Sequence, residues 1–137
     1  MYTITITENP VCIAHRLKLP YDSKCNTLHG HNYVVEVVIT SPELNATGMV
    51  IDFTHVKEVI KKYDHSFLGN PGFVSRTALD ELGITTWFAH VEPSTAENFA
   101  TTLFLEIVDR VKKANPQAIV KSVAVWETPS SKVVVEV

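Results

Sequence analysis

Apolar and polar residues alternate from the first positions of the chain. Tyr2, Ile4 and Ile6 are separated by threonines, the period-two pattern of a strand, which is expected over residues 1–14. Residues 20–27 gather Pro, Asp, Ser, Lys and Asn, a loop composition. Residues 31–40, rich in Val and Ile, read as a second strand that pairs antiparallel with the first across that loop. Residues 41–48 are the next turn region. A helix follows Asp52 or Thr54, either of which can cap it, with Val56, Val59, Ile60 and Tyr63 at helical spacing. Residues 66–92 carry the weakest pattern. Pro71, Gly72 and Gly83 interrupt it, and a short helix fits over 75–82. Pro93-Ser94-Thr95-Ala96-Glu97 holds a capping box, Ser94 reaching forward and Glu97 reaching back. The helix it opens aligns Phe99, Ala100, Leu103, Ile107 and Val111 on one face and stops before Pro116. Strands over 118–127 and 132–137, joined by a turn at Pro129-Ser130-Ser131, finish the chain.

Grouped strands and helices in this order predict an α+β domain over residues 1–137, with a four-stranded antiparallel sheet and two helices on one face. So small a sheet needs its edges covered or paired. At 137 residues and 45% hydrophobic, the chain can bury a core without a disulfide or a structural metal. A formal net charge of −3 argues against nucleic acid or an anionic membrane as the main partner. No apolar run is long enough to span a bilayer, and no basic stretch followed by an apolar one marks a signal peptide. The two cysteines then read as free thiols and the expected location is cytoplasmic.

His29 and His31 are two apart, so in a strand both imidazoles point the same way, and Gly30 lets the backbone approach closely. The hairpin can bring His15 beside them. Three imidazoles with no obvious fourth ligand are the composition of a catalytic zinc site, and equally of polar histidines scattered near a turn. Cys25 fits a fourth zinc ligand, a nucleophile or base, or an inert loop thiol, while Cys12 reads as core. In Asp64-His65 a carboxylate stands next to an imidazole that it can orient, although neighbouring residues usually face apart and an ordinary helix end fits as well. Glu127 shares a strand face with Val123 and Val125, which suits a carboxylate that binds N–H donors or one at the solvent end of the strand. His55 and His90 read as surface residues.

Ala14-His15-Arg16-Leu17 and Cys25-Asn26-Thr27-Leu28-His29-Gly30-His31-Asn32-Tyr33 resemble the 6-pyruvoyl- and 6-carboxy-tetrahydropterin synthase family. Further matches follow in order: Gly48-Met49-Val50-Ile51-Asp52-Phe53, Asp64-His65, Ser94-Thr95-Ala96-Glu97-Asn98 and Val125-Trp126-Glu127-Thr128. The resemblance spans nearly the whole chain. It implies a tunnelling fold, in which sheets of several subunits join into a barrel, and a homohexamer of two trimers with active sites between subunits. It implies Zn2+ on His15, His29 and His31, Cys25 as catalytic base assisted by Asp64 and His65, and Glu127 with Thr95 at the pterin. The substrate it implies is 7,8-dihydroneopterin triphosphate, whose triphosphate Arg16, Lys18 and Lys24 could meet unless they are simply solvated. The three residues between Cys25 and His29 resemble the branch that makes 6-carboxy-5,6,7,8-tetrahydropterin with loss of acetaldehyde and triphosphate, on the route to queuosine. The alternatives are the pyruvoyl-forming branch and a zinc-binding homologue without catalysis. The chain departs from the family pattern at Val11-Cys12-Ile13, at Tyr63 and in the length of 66–92, which fits a lid, an interface or a remote insertion.

Overall fold

The opening alternation becomes β1 (Tyr2–His15) and the Val-rich run becomes β2 (His29–Ser41). In the computed structural model, which describes residues 1–71 and 75–137, they pair antiparallel from Tyr2↔Ser41 to His15↔His29. The register shifts once, between Glu8 and Val11. Both strands run past the apolar pattern at the loop end, because the polar His15 and His29 close the ladder. Next come α1 (Thr54–Lys61), β3 (Ser66–Leu68), α2 (Arg76–Glu81) and β4 (Trp87–Phe88). The chain ends with α3 (Ala96–Ala114), β5 (Ile119–Thr128) and β6 (Ser131–Glu136).

The sheet has six strands in the order β4-β3-β1-β2-β5-β6, where four were expected. The two additional strands, β3 and β4, are three and two residues long, too short to carry a period. They add to the β1 edge in parallel, through Ile13↔Ser66 and Phe67↔Trp87, and so cover part of an edge that hydrophobic patterning left open. The short helix expected over 75–82 is α2, whose N-cap Ser75 accepts from the Ala78 N–H at 3.1 Å. It makes the helix count three rather than two among the described residues. Gly72, flagged as a breaker, lies outside those residues. No described helix is long and apolar enough to cross a membrane.

Caps differ in detail from the pattern. Asp52 rather than Thr54 opens α1, its Oδ1 accepting from the Thr54 N–H at 2.9 Å and the Thr54 hydroxyl at 2.8 Å. Thr95 rather than Ser94 caps α3, accepting from the Asn98 N–H at 3.2 Å. Thr95, with φ of −74° and ψ of 159°, is the extended residue directly before the helix, while the Ser94 hydroxyl donates to the Arg16 carbonyl instead. At the far end Asn115 donates to the Val50 carbonyl at 2.8 Å and ties the helix to the segment before α1.

The core lies between one sheet face and the helices. Val35, Val37 and Ile39 of β2 and Val123 and Val125 of β5 face Phe99, Leu103 and Ile107 of α3, all essentially inaccessible to water. Phe99 is the hinge of the aromatic packing, its ring centroid 5.4 Å from Tyr33 and 5.2 Å from Tyr63. The other parity of the strands faces away from the helices. Cys12, expected in the core, is on that side and only half-buried, because Val11, Ile13 and His15 take the inward positions. Phe99→Ala should remove about 3–5 kcal/mol of unfolding free energy, read from urea denaturation. A loss below about 1 kcal/mol would show that the aromatic layer closes over the gap.

Candidate metal centre and its surroundings

The site is assembled by hairpin register. His15 stands directly opposite His29, and His31 stands opposite Ile13 on the same inward face. The three imidazoles meet edge to face, with ring centroids 4.6 to 5.1 Å apart. One ligand nitrogen from each lies within 4.8 Å of the others. Cys25 does not join this cluster.

Hydrogen bonds decide which nitrogens point inward. The Ser94 carbonyl accepts from His15 Nδ1 at 2.7 Å, and the Thr27 carbonyl accepts from His29 Nδ1 at 2.6 Å. A carbonyl can only accept, so both Nδ1 atoms carry hydrogen and both Nε2 atoms keep a lone pair. His15 Nε2 and His31 Nε2 are buried without a hydrogen-bond partner. Unsatisfied buried nitrogens are costly, and three converging imidazoles, two of them with carbonyl-held Nδ1–H groups, suit a divalent zinc-type ion. The residues therefore fit such an ion.

Burial disfavours the charged form of His15 and His31. His15 is pushed down from 6.5 to about 4 chiefly by loss of hydration; the Ser94 carbonyl opposes this in part, and the two neighbouring histidines add to it. His31 is lowered by burial and by His29, against the opposing pull of Glu127. Neutral imidazole is the metal-binding form.

Glu127 continues this face. Its Oε1 lies 3.6 Å from His31 Nε2, and the β2–β5 register places it across from Tyr33. The Tyr33 phenol is fully buried with no partner for its hydroxyl, and burial, with the Glu127 charge behind it, raises its pKa. Thr95 and Glu127 line a single groove of about 270 Å3 with Leu17, Val125 and Lys132, between the start of α3 and the β5–β6 hairpin. The carboxylate that looked misplaced on an apolar face is thus beside the imidazoles, and the pattern pairing Thr95 with it holds spatially.

Asp64 and His65 do meet. Asp64 Oδ2 is 2.9 Å from His65 Nδ1, and its Oδ1 accepts the Cys12 N–H at 2.7 Å. The His65 N–H donates to the Cys12 carbonyl at 2.6 Å. The Cys12 N–H, followed by the contacts with His65, holds the Asp64 carboxyl below its usual range. His65 adopts φ of 60°, the left-handed region rare for a residue with a side chain, and this lets consecutive residues face each other. His65 opens on a groove of about 310 Å3 lined mainly by Cys12, Ala14, Gly30 and Asn32, the outward parity of β1 and β2, with Ile13 and His31 also on its wall. It therefore opens chiefly on the side opposite to the one on which the imidazoles converge.

Cys25 occupies a single 3-10 turn, Lys24–Asn26, half-buried. Its N–H donates to Ser23 Oγ at 3.1 Å and its carbonyl accepts from the Leu17 N–H at 2.8 Å. That second bond lays the Arg16–Lys18 stretch against the turn that carries Lys24. No hydrogen bond among the described residues joins the Cys25 thiol to Asp64 or His65. Two residues of this region escaped sequence reading. Tyr33 was detectable by parity with His31, whereas nothing local marks Ser94 as the acceptor for a histidine 79 residues away.

A curled antiparallel sheet backed by helices, with three imidazoles gathered at one hairpin end, places the molecule among the tunnelling folds. Comparison with known proteins narrows this. Residues 3–137 match the family model described as 6-pyruvoyl tetrahydropterin synthase, and the chain belongs to that family. An Aquifex aeolicus relative named 6-carboxy-5,6,7,8-tetrahydropterin synthase is 35% identical, over 80% of this chain and 74% of its own. A Pyrococcus horikoshii relative is 46% identical over 51% of this chain but 41% of its own, so the match spans less than half of that protein. The structure of Caenorhabditis elegans 6-pyruvoyl tetrahydropterin synthase superposes with a TM-score of 0.59 at 26% identity, covering 100% of this chain and 97% of that one.

The His15 shift gives a pH dependence. Between pH 6.5 and about 4 the unfolded chain takes up a proton that the folded chain refuses. Stability of the metal-free protein should therefore fall as pH drops through that window, by roughly 3 kcal/mol in total, and be independent of His15 above it. Urea unfolding of chelator-treated protein at stepped pH measures this, and a flat profile would put the imidazole in water.

Proposed function

We propose that this chain is a pterin synthase that holds zinc on His15, His29 and His31. In this reading it converts 7,8-dihydroneopterin triphosphate to 6-carboxy-5,6,7,8-tetrahydropterin, releasing acetaldehyde and triphosphate, as a cytoplasmic step towards queuosine and related 7-deazaguanine nucleosides. The observation that carries the proposal is the convergence of the His15, His29 and His31 rings, two of them with a buried and unpartnered Nε2, beside a groove containing Glu127 and Thr95. The name of the Aquifex aeolicus relative and the three residues between Cys25 and His29 favour the carboxy product over 6-pyruvoyl-tetrahydropterin. A zinc-binding homologue without catalysis would have no use for Cys25, Asp64, His65 and Glu127 together.

Bound zinc would supply Lewis acidity to the hydroxyls of the substrate side chain. Glu127 accepts from the pterin amino group and ring N–H, a charge-assisted two-point contact that sets the ring in the groove with Thr95. Cys25 takes a proton from the side chain. Asp64, accepting from His65 Nδ1, leaves Nε2 of that ring to receive or return a proton. Arg16, Lys18 and Lys24, brought together by the Leu17–Cys25 backbone bond, meet the triphosphate. Because the Asp64–His65 pair opens on the opposite face of the sheet, it would serve the centre of a neighbouring copy. That agrees with a homohexamer of two trimers whose sheets join into a barrel and whose sites lie between subunits.

Incubating zinc-loaded protein with 7,8-dihydroneopterin triphosphate and weighing the products tests the reading. Acetaldehyde with carboxy-tetrahydropterin is expected; pyruvoyl-tetrahydropterin would select the other branch, and no turnover would sink the enzyme reading for this substrate. Cys25→Ala should keep its zinc and lose about 100-fold or more in kcat. Loss of zinc from that variant would make Cys25 a ligand instead. Glu127→Gln should weaken pterin binding by about tenfold, and unchanged affinity would remove it from the ring contact.

A further inference from the structure

The segment 66–92 has no part in the chemistry above, yet it reaches the metal centre through one residue. Ser94 is 1% exposed. Its carbonyl accepts from His15 Nδ1 at 2.7 Å, and its hydroxyl donates to the Arg16 carbonyl at 3.2 Å. One residue thus grips two consecutive residues of the first hairpin from both its polar ends, fixing the turn of the His15 ring as well as its place. Ser94 is in turn backed by Gly69. A Cβ at position 69 would lie 3.2 Å from Ser94 Cβ, 3.3 Å from its hydroxyl and 3.0 Å from Glu92 Oε2, and the backbone there has φ of +106°. Gly69 itself is tied to β4 by donation to the Phe88 carbonyl at 3.1 Å, and Glu92 Oε2 accepts the Asn70 N–H at 2.9 Å.

We propose that Ser94 is a positioning residue for the metal centre, a clasp seated on Gly69 that sets the tautomer and orientation of His15. The proposal deepens the metal reading of the three histidines and rests on it. A carbonyl held on Nδ1 leaves Nε2 as the only ligand atom and makes it more basic, which strengthens a metal–imidazole bond. Since the next residue, Thr95, caps α3 and lines the groove with Glu127, any shift of Ser94 moves a metal ligand and a groove wall together. Gly69 and Glu92, near the two ends of residues 66–92, then support the site.

Ser94→Ala removes the hydroxyl grip and keeps the carbonyl; Gly69→Ala displaces the seat. Gly83→Ala is the matched control, a glycine of the same segment with φ of +72° and nothing within 4 Å of an added Cβ. Zinc affinity is read by competition with a chromophoric chelator, and the His15 tautomer by long-range 1H–15N spectra of the metal-free protein at pH 7.5. The expected result is a roughly tenfold weaker zinc affinity in Ser94→Ala and Gly69→Ala. The His15 spectrum should change from a single Nδ1–H tautomer to an average, with Gly83→Ala like the parent in both. Folded Ser94→Ala with parental zinc affinity and a single His15 tautomer overturns the clasp, and it decides the matter if Gly69→Ala does not fold. Should the parent chain itself take no zinc, the metal reading falls, and the tautomer spectra alone decide the clasp.

Discussion

The register of the first hairpin is the constraint on which the rest depends. His15 meets His29 across the ladder and His31 follows two positions on. A slip of one residue would turn the imidazoles of one strand to the other face while leaving those of the partner in place. Register is held by the inward row Ile6, Val11, Ile13 on β1 and Tyr33, Val35, Val37, Ile39 on β2, which cannot be exposed without losing the core. Hydrophobic burial along the strands therefore determines where a polar cluster forms at their end.

Around that cluster the electrostatics are arranged by exclusion of water. Burial disfavours imidazolium, two backbone carbonyls claim the Nδ1 protons of His15 and His29, and the Nε2 lone pairs are left facing one another. Left to itself this is an unfavourable arrangement, with buried acceptors that nothing satisfies. Glu127, 3.6 Å from His31 Nε2, is itself an acceptor and offers that nitrogen no hydrogen. Folding energy gathered elsewhere, chiefly where α3 packs on β5 and β6, keeps in place a constellation that a cation would satisfy.

Much of this was legible from residue pattern. Alternation marked β1, and Val and Ile content marked β2; β5 and β6 read as the closing strands around a turn; helical spacing marked α1 and α3, and His29-Gly30-His31 on a strand announced a shared face. The parity of Val123, Val125 and Glu127 likewise flagged the carboxylate. What pattern missed was decided by distant partners. The cap of α3 moved from Ser94 to Thr95, and the two oxygens of Ser94 go instead to His15 and Arg16. β3 and β4 are too short to show a period, and only the parallel pairing of β3 to β1 and of β4 to β3 makes them strands. Asp64 and His65 look unable to face each other until the left-handed backbone at His65 is known. The side of the sheet on which they open was equally out of reach, since it follows from the Cys12 hydrogen bonds rather than from any local signal.

That last placement has a genetic meaning. The imidazoles and the carboxylate–imidazole pair belong to opposite faces of one sheet, so damage to one face leaves the other whole. In the proposed assembly, whose sites would draw one face from each of two copies, a chain without His31 and a chain without His65 would each be silent alone. Mixed, they would rebuild intact sites wherever the sound face of one met the sound face of the other. The sheet would then be a party wall, and the unit of inheritance for activity the pair of neighbours rather than the chain.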